Sequence, residues 1–281
     1  MKRYNFFFKE SKPFVKLMML ICIFMVFTSI AGYLLMLFSL EPIYKQALSQ
    51  LIMFGLAVML WGLMFEGSIY KFMSFQTKGL GYYSAIALLL VIVVAPFIDG
   101  IGLWNDSWHF SSEGMYREME KEARNIMETF TKDTSPKGLI LNIIVLAILP
   151  AILEEYFFRA AMQTTMINLL RNRFFAILIT SIAFSLIHFQ LFSSIPRVFL
   201  GLFLGYLYVF SKNILVPILF HFLNNLVVII GYYLINTYQT SIDITQLGLI
   251  YNPYLFTISL ILIIGWFVFE LRKERIRIKS Q

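Results

Sequence analysis

Six stretches of this chain, Leu17 to Leu40, Gln46 to Phe65, Gly79 to Ile98, Phe174 to Pro196, Asn213 to Ile235 and Ile244 to Phe269, each contain a run free of Lys, Arg, Asp and Glu. At about 1.5 Å of rise per helical residue, each run can cross a hydrocarbon core of about 30 Å. Gly138 to Leu170 makes a seventh crossing although it carries Glu154, Glu155 and Arg159, and Val198 to Ser211, caught between Arg197 and Lys212, is a shorter eighth. Overall 59% of the 281 residues are hydrophobic and 14% are charged, against roughly a quarter charged in soluble domains. The expected fold is all-α, a polytopic integral membrane protein of about eight transmembrane helices. Gly201 and Gly205 in the shortest run have the spacing that lets membrane helices approach closely.

Charge placement tests the count, because cytoplasmic loops are enriched in Lys and Arg. With the basic N-terminus inside and eight spans following, Lys71, Lys78, Arg171, Arg173, Lys212 and the basic tail from Arg272 to Lys279 all fall inside. Lys45, the loop from 99 to 137 and Arg197 then fall outside. Both termini are therefore expected to be cytoplasmic, in a multi-pass protein of the cell membrane. The first run has a longer apolar core than the 7 to 15 residues usual in a cleaved signal and reads as retained. The single cysteine, Cys22, excludes an intramolecular disulfide and a cysteine-built metal cage. A net charge of +7 is accounted for by topology, and no nucleic-acid partner is invoked.

Residues 1–281 read as one membrane domain without internal repeats. Its one sizeable extramembrane piece, 99–137, holds an amphipathic helix that Ser111 or Ser112 can cap and that runs to about Lys132. Met115, Met119, Ala123, Ile126, Met127 and Phe130 form its apolar stripe. Such a helix can rest on the membrane or on neighbouring loops, or serve as a lid or docking element.

Ionisable side chains at membrane depth are costly, roughly 2.5 to 3.5 kcal/mol on insertion scales, and point to function. Glu155 and Arg159 are four apart and can pair on one helix face. Glu154 points about 100° away and has no partner in its own helix, which leaves it free to take a proton as a general base. His221 and Asn225, again four apart, present two donors suited to a developing oxyanion. Phe184 and His188 repeat the spacing, so the aromatic ring can wall a pocket and orient the imidazole. Pro150 and Pro217 each precede a polar residue by four, and each is expected to cost its helix one hydrogen bond and open a wet kink. Two readings compete with hydrolysis. Glu154, His188 and His221 could form a zinc site, although no HExxH helix is present, and a proton-coupled transporter would use similar residues but usually shows paired broken helices. No cofactor is favoured.

"EEYFFR", "FSLIH" and "HFLNN", in this order on three hydrophobic segments, resemble the EExxxR, FxxxH and HxxxN motifs of the CPBP family, the Abi or type II CAAX endopeptidases. The resemblance covers residues 138–235. It implies a glutamate-dependent intramembrane endopeptidase in which Glu154 and His188 activate water and His221 and Asn225 stabilise the oxyanion. Glu155 and Arg159 would support the site. All six motif positions match. A non-catalytic regulator or self-immunity protein of the same family is the alternative, a transporter the more distant one. The implied partners are membrane lipid and a peptide or lipidated protein substrate. One difficulty attends the expected spans: they place His188 near the exterior end of its helix and His221 near the cytoplasmic end of its own, about 10 Å apart in depth.

Overall fold

A computed structural model describes residues 8, 10–66, 79–109, 113–238 and 252–279. Among them the chain forms nine helices and no strand. In chain order they are α1 (Pro13–Leu37), α2 (Pro42–Phe65), α3 (Leu80–Asp106), α4 (Glu113–Thr131), α5 (Pro136–Leu170), α6 (Arg173–Leu186), α7 (Ser194–Ser211), α8 (Leu215–Tyr238) and α9 (Pro253–Lys279). Seven, all but α4 and α6, are long and apolar enough to cross a membrane, α7 with the 3-10 turn before it. With α6 as a shorter apolar helix, the protein is an all-α, multi-pass membrane protein.

Local chemistry explains the helix ends. Pro13, Pro42, Pro136 and Pro253 open helices where a missing N–H costs nothing. The Ser135 hydroxyl accepts from the Gly138 amide at 3.1 Å, and the Asn172 side chain from the Phe175 amide at 3.2 Å, so α5 and α6 start on side-chain caps. Arg171 and Lys212 end α5 and α7 in the left-handed conformation, placing cations at helix C-termini as the helix dipole favours.

Several features differ from the sequence reading; α3, for one, runs on to Asp106, past the expected end at Ile98. The expected span from Phe174 to Pro196 is broken: α6 stops at Leu186, the chain turns through 187–193, and α7 begins at Ser194. Fourteen residues rise only about 21 Å, and His188 lies in the turn that follows this short helix. Arg197, expected in an exterior loop, lies in the first turn of α7. Pro217 is the third residue of α8, where amides have no intrahelical partner, so it costs no bond. The last helix starts at Pro253 and not near Ile244, and residues 244–251 lie outside the described residues. So do Ser111, Ser112, Lys71 and Lys78.

The core is aromatic where the functional helix sits. Tyr156, Phe157 and Phe158 are all buried. Phe157 meets Phe24 of α1 at 4.9 Å and Phe54 of α2 at 5.5 Å between ring centres, and Phe158 meets Phe184 of α6 edge-on at 5.3 Å. These rings fix the rotation of α5 and so decide which way its glutamates face. The α6–α7 pair closes on the two glycines: a Cβ on Gly201 would stand 2.8 Å from Ser181 Cβ, and one on Gly205 would stand 2.6 Å from Ile177 Cγ2.

Candidate active site

Glu154 and Glu155 sit on α5 where its hydrogen bonding is irregular. π-helical turns occupy Ile143–Ile148 and Tyr156–Gln163, with Pro150 between them. The Thr164 hydroxyl donates to the Arg159 carbonyl at 3.0 Å. Wide turns of this kind often mark functional positions.

Glu155 and Arg159 are wholly buried, both 0% exposed. Arg159 Nε stands 3.0 Å from Glu155 Oε2, the pairing their spacing predicts. The other oxygen, Glu155 Oε1, is 3.0 Å from His221 Nδ1 on α8. Glu155 therefore bridges two helices, a link that no helical spacing could disclose. The His221 ring turns its other nitrogen, Nε2, toward Glu154 Oε2 at 4.0 Å. A row Arg159–Glu155–His221–Glu154 results, in which charge of alternating sign can be held. The guanidinium of Arg159 also lies over Phe184, 5.1 Å from the ring centre.

Phe184 is the shared wall. His188 and His221 meet it edge-on at 5.5 Å and 5.8 Å. The two imidazoles are thus gathered on one ring, and the depth offset suggested by the expected spans does not keep them apart. Directly after His188, Phe189 has φ +54°, a left-handed conformation that is a true outlier for a bulky residue. Backbone strain is stored beside the histidine.

Glu154, His188, His221 and Asn225 all line one cavity of about 380 Å³, within the roughly 300 to 1,000 Å³ usual for ligand sites. Glu155 and Arg159 stand behind its wall. Asn224 also lines it. Three further polar side chains, not among the site residues expected from the sequence, join them: Gln46 and Gln50 of α2, and Arg197 of α7. Met127 of the amphipathic helix α4 borders the same space. That helix is clasped to the turn before α7, where Glu120 accepts from the Ser193 amide at 2.9 Å and from its hydroxyl at 2.8 Å. Among the described residues, no three His, Cys, Asp or Glu side chains gather in an arrangement suited to a metal ion.

Residues 136–227, from the start of α5 to the middle of α8, match the family model described as type II CAAX prenyl endopeptidase Rce1-like. The match contains every polar cavity residue except Gln46 and Gln50. No curated protein and no solved structure matches the chain. On residues 136–227, the segment that supplies most of the cavity lining, the chain is similar to the type II CAAX prenyl endopeptidases.

Proposed function

We propose that this protein is an intramembrane endopeptidase that hydrolyses a peptide bond of a membrane-associated peptide or lipidated protein by direct attack of water. The observation that carries this reading is the convergence of Glu154 of α5, His188 of the turn after α6, and His221 and Asn225 of α8 on one cavity. Glu154 takes a proton from water held between it and His188, and the resulting hydroxide attacks the substrate carbonyl carbon. The carbonyl oxygen becomes an anion stabilised by donors from His221 and the Asn225 amide. Collapse of the tetrahedral intermediate breaks the C–N bond, and the leaving amine takes the proton from Glu154. Both products leave without a covalent enzyme intermediate.

Glu155 gives His221 its role. A carboxylate that accepts from Nδ1–H leaves Nε2 facing Glu154 and the cavity. For Nε2 to donate to an oxyanion the ring must be doubly protonated, and Glu155, held by Arg159, is placed to stabilise that cation. Glu155 and Arg159 are thus positioning residues.

The test is a comparison of wild type with Glu154→Gln and His188→Ala in the native host, reading membrane peptides by terminal-peptide mass spectrometry. Uncleaved peptides accumulate in both variants. An unchanged peptide profile with normal expression of both variants rejects the reading. A chelator titration of active purified protein addresses the zinc alternative: glutamate chemistry predicts unchanged cleavage, whereas loss restored by added metal would require a metal mechanism.

A further inference from the structure

Arg197 is the ionisable cavity residue that the proposed hydrolysis does not use. It lies in the first turn of α7 and lines the cavity together with Glu154 and His188, close enough to act electrostatically on both. Of its donors, Nη2 hydrogen-bonds the Gln190 side chain at 2.5 Å. Nη1 is buried and has no hydrogen-bond partner among the described residues. The nearby acids do not fill that vacancy. Glu120, which also acts on Arg197 electrostatically, spends one oxygen on both the amide and hydroxyl of Ser193 and turns the other to the same hydroxyl at 3.0 Å. Glu154 faces His221, and among the described residues no carboxylate stands within ion-pair distance of Arg197. A buried guanidinium donor left open beside a substrate cavity matches one ligand chemistry above others, a planar oxyanion able to take N–H bonds. In a peptide, that group is a carboxylate.

We propose that Arg197 is a specificity-determining residue that binds a carboxylate of the substrate, either its free C-terminus or an acidic side chain close to the scissile bond. The proposal rests on the endopeptidase reading and narrows its substrate class to peptides carrying such a carboxylate within the reach of a 380 Å³ cavity. Positioned beside His188, Arg197 would hold the part of the substrate that is short and charged, while the apolar remainder extends toward the lipid. A terminal carboxylate would make the enzyme a cutter of C-terminal segments. An internal acid would make it a reader of sequence.

The test uses full-length Glu154→Gln protein in lipid nanodiscs, so that binding is measured without turnover. Three pools of synthetic apolar pentapeptides serve as probes: free acids, the same sequences as C-terminal amides, and amides carrying one internal Glu. A charge-assisted hydrogen bond is worth about 1.5 to 3 kcal/mol, so the preferred carboxylate pool is expected to bind about 10- to 100-fold more tightly than the plain amides. Adding Arg197→Gln should bring that ratio close to one, and Arg197→Lys should keep part of it. Gln190→Ala, which removes the tether and spares the charge, should leave the ratio intact. Preference for free acids assigns the C-terminus, and preference for internal Glu assigns a side chain. Equal binding of all pools, binding of none, a ratio unchanged by Arg197→Gln, or an equal collapse in Gln190→Ala overturns the proposal. The first three outcomes show that the guanidinium reads no carboxylate, and the last shows that it only anchors the turn. Failure of the endopeptidase reading shows separately, as wild type that cleaves no pool while the binding ratio persists.

Discussion

Glu155 and Arg159 place opposite charges side by side where neither touches solvent, and such a pair behaves asymmetrically when broken. Removing one partner leaves the other buried and unpaired, at a cost of about 3 to 5 kcal/mol, whereas replacing both with apolar residues can be nearly neutral. Arg159→Met is therefore expected to lower the thermal unfolding midpoint sharply in detergent, and Glu155→Leu with Arg159→Met together to recover much of the loss. Glu154→Gln, by contrast, keeps volume and shape and should change the midpoint little while removing activity. The contrast separates a residue that builds the site from one that reacts in it. At this scale the sequence was legible only within a helix. The spacing from Glu155 to Arg159 revealed their contact, but the bond from Glu155 to His221 joins positions 66 apart on different helices. Arg197 was misplaced for a related reason. A charge read as a flank of a span is assigned to a loop, and its true place depended on where α6 stopped. The stretch from Phe174 to Pro196 hides that stop, since its turn is made by Phe189 and not by the Gly or Asn that usually marks a left-handed residue.

At the level of elements, the small-residue pattern in α7 was legible because its physical cause is local. Gly205 has no room for a side chain against α6 and α5, where an added Cβ would also stand 2.8 Å from Gln163 Oε1, and the Gly205 carbonyl accepts from Gln163 Nε2 at 3.1 Å. Gly205→Val is expected to cost about 1 to 3 kcal/mol through overpacking, measured by thermal unfolding. Gly265→Ala on α9 meets nothing within 4 Å and should be neutral or slightly stabilising. A Gly205→Val variant as stable as wild type would show that α6 and α7 are not held at this distance. The amphipathic helix α4 was visible in its apolar stripe, but its anchoring was not, since one of its two buried hydrogen-bonding residues, Glu120, is an acid. Ser193→Ala removes both hydroxyl contacts to Glu120 and leaves the amide bond, whereas Glu120→Ala removes all three. Each should raise amide hydrogen exchange across Glu113–Thr131, the second variant more, with α5 unchanged. Equal exchange in all three proteins would mean that α4 is held elsewhere.

At the scale of the molecule, the seven long helices and the short α6 found among the described residues give an even number of crossings if α6 counts as one, and both ends then face the same compartment. In a Cys22→Ser background, single cysteines placed at Ser11 and at Arg272 should react, or resist reaction, together with an impermeant thiol reagent in intact cells. Labelling of one and not the other would mean that α6 turns back within the membrane. Architecture was legible at this scale because apolar length and charge are additive properties of sequence, while the cavity arises from how helices lean on one another. Its chemistry is the central claim, and it is tested most directly by purified wild type and Glu154→Gln in lipid nanodiscs, each incubated in ¹⁸O-water with an extract of membrane peptides and analysed by mass spectrometry. Water activation by Glu154 predicts wild-type products carrying ¹⁸O in the newly formed carboxyl group and none from Glu154→Gln; equal cleavage by both proteins would contradict it.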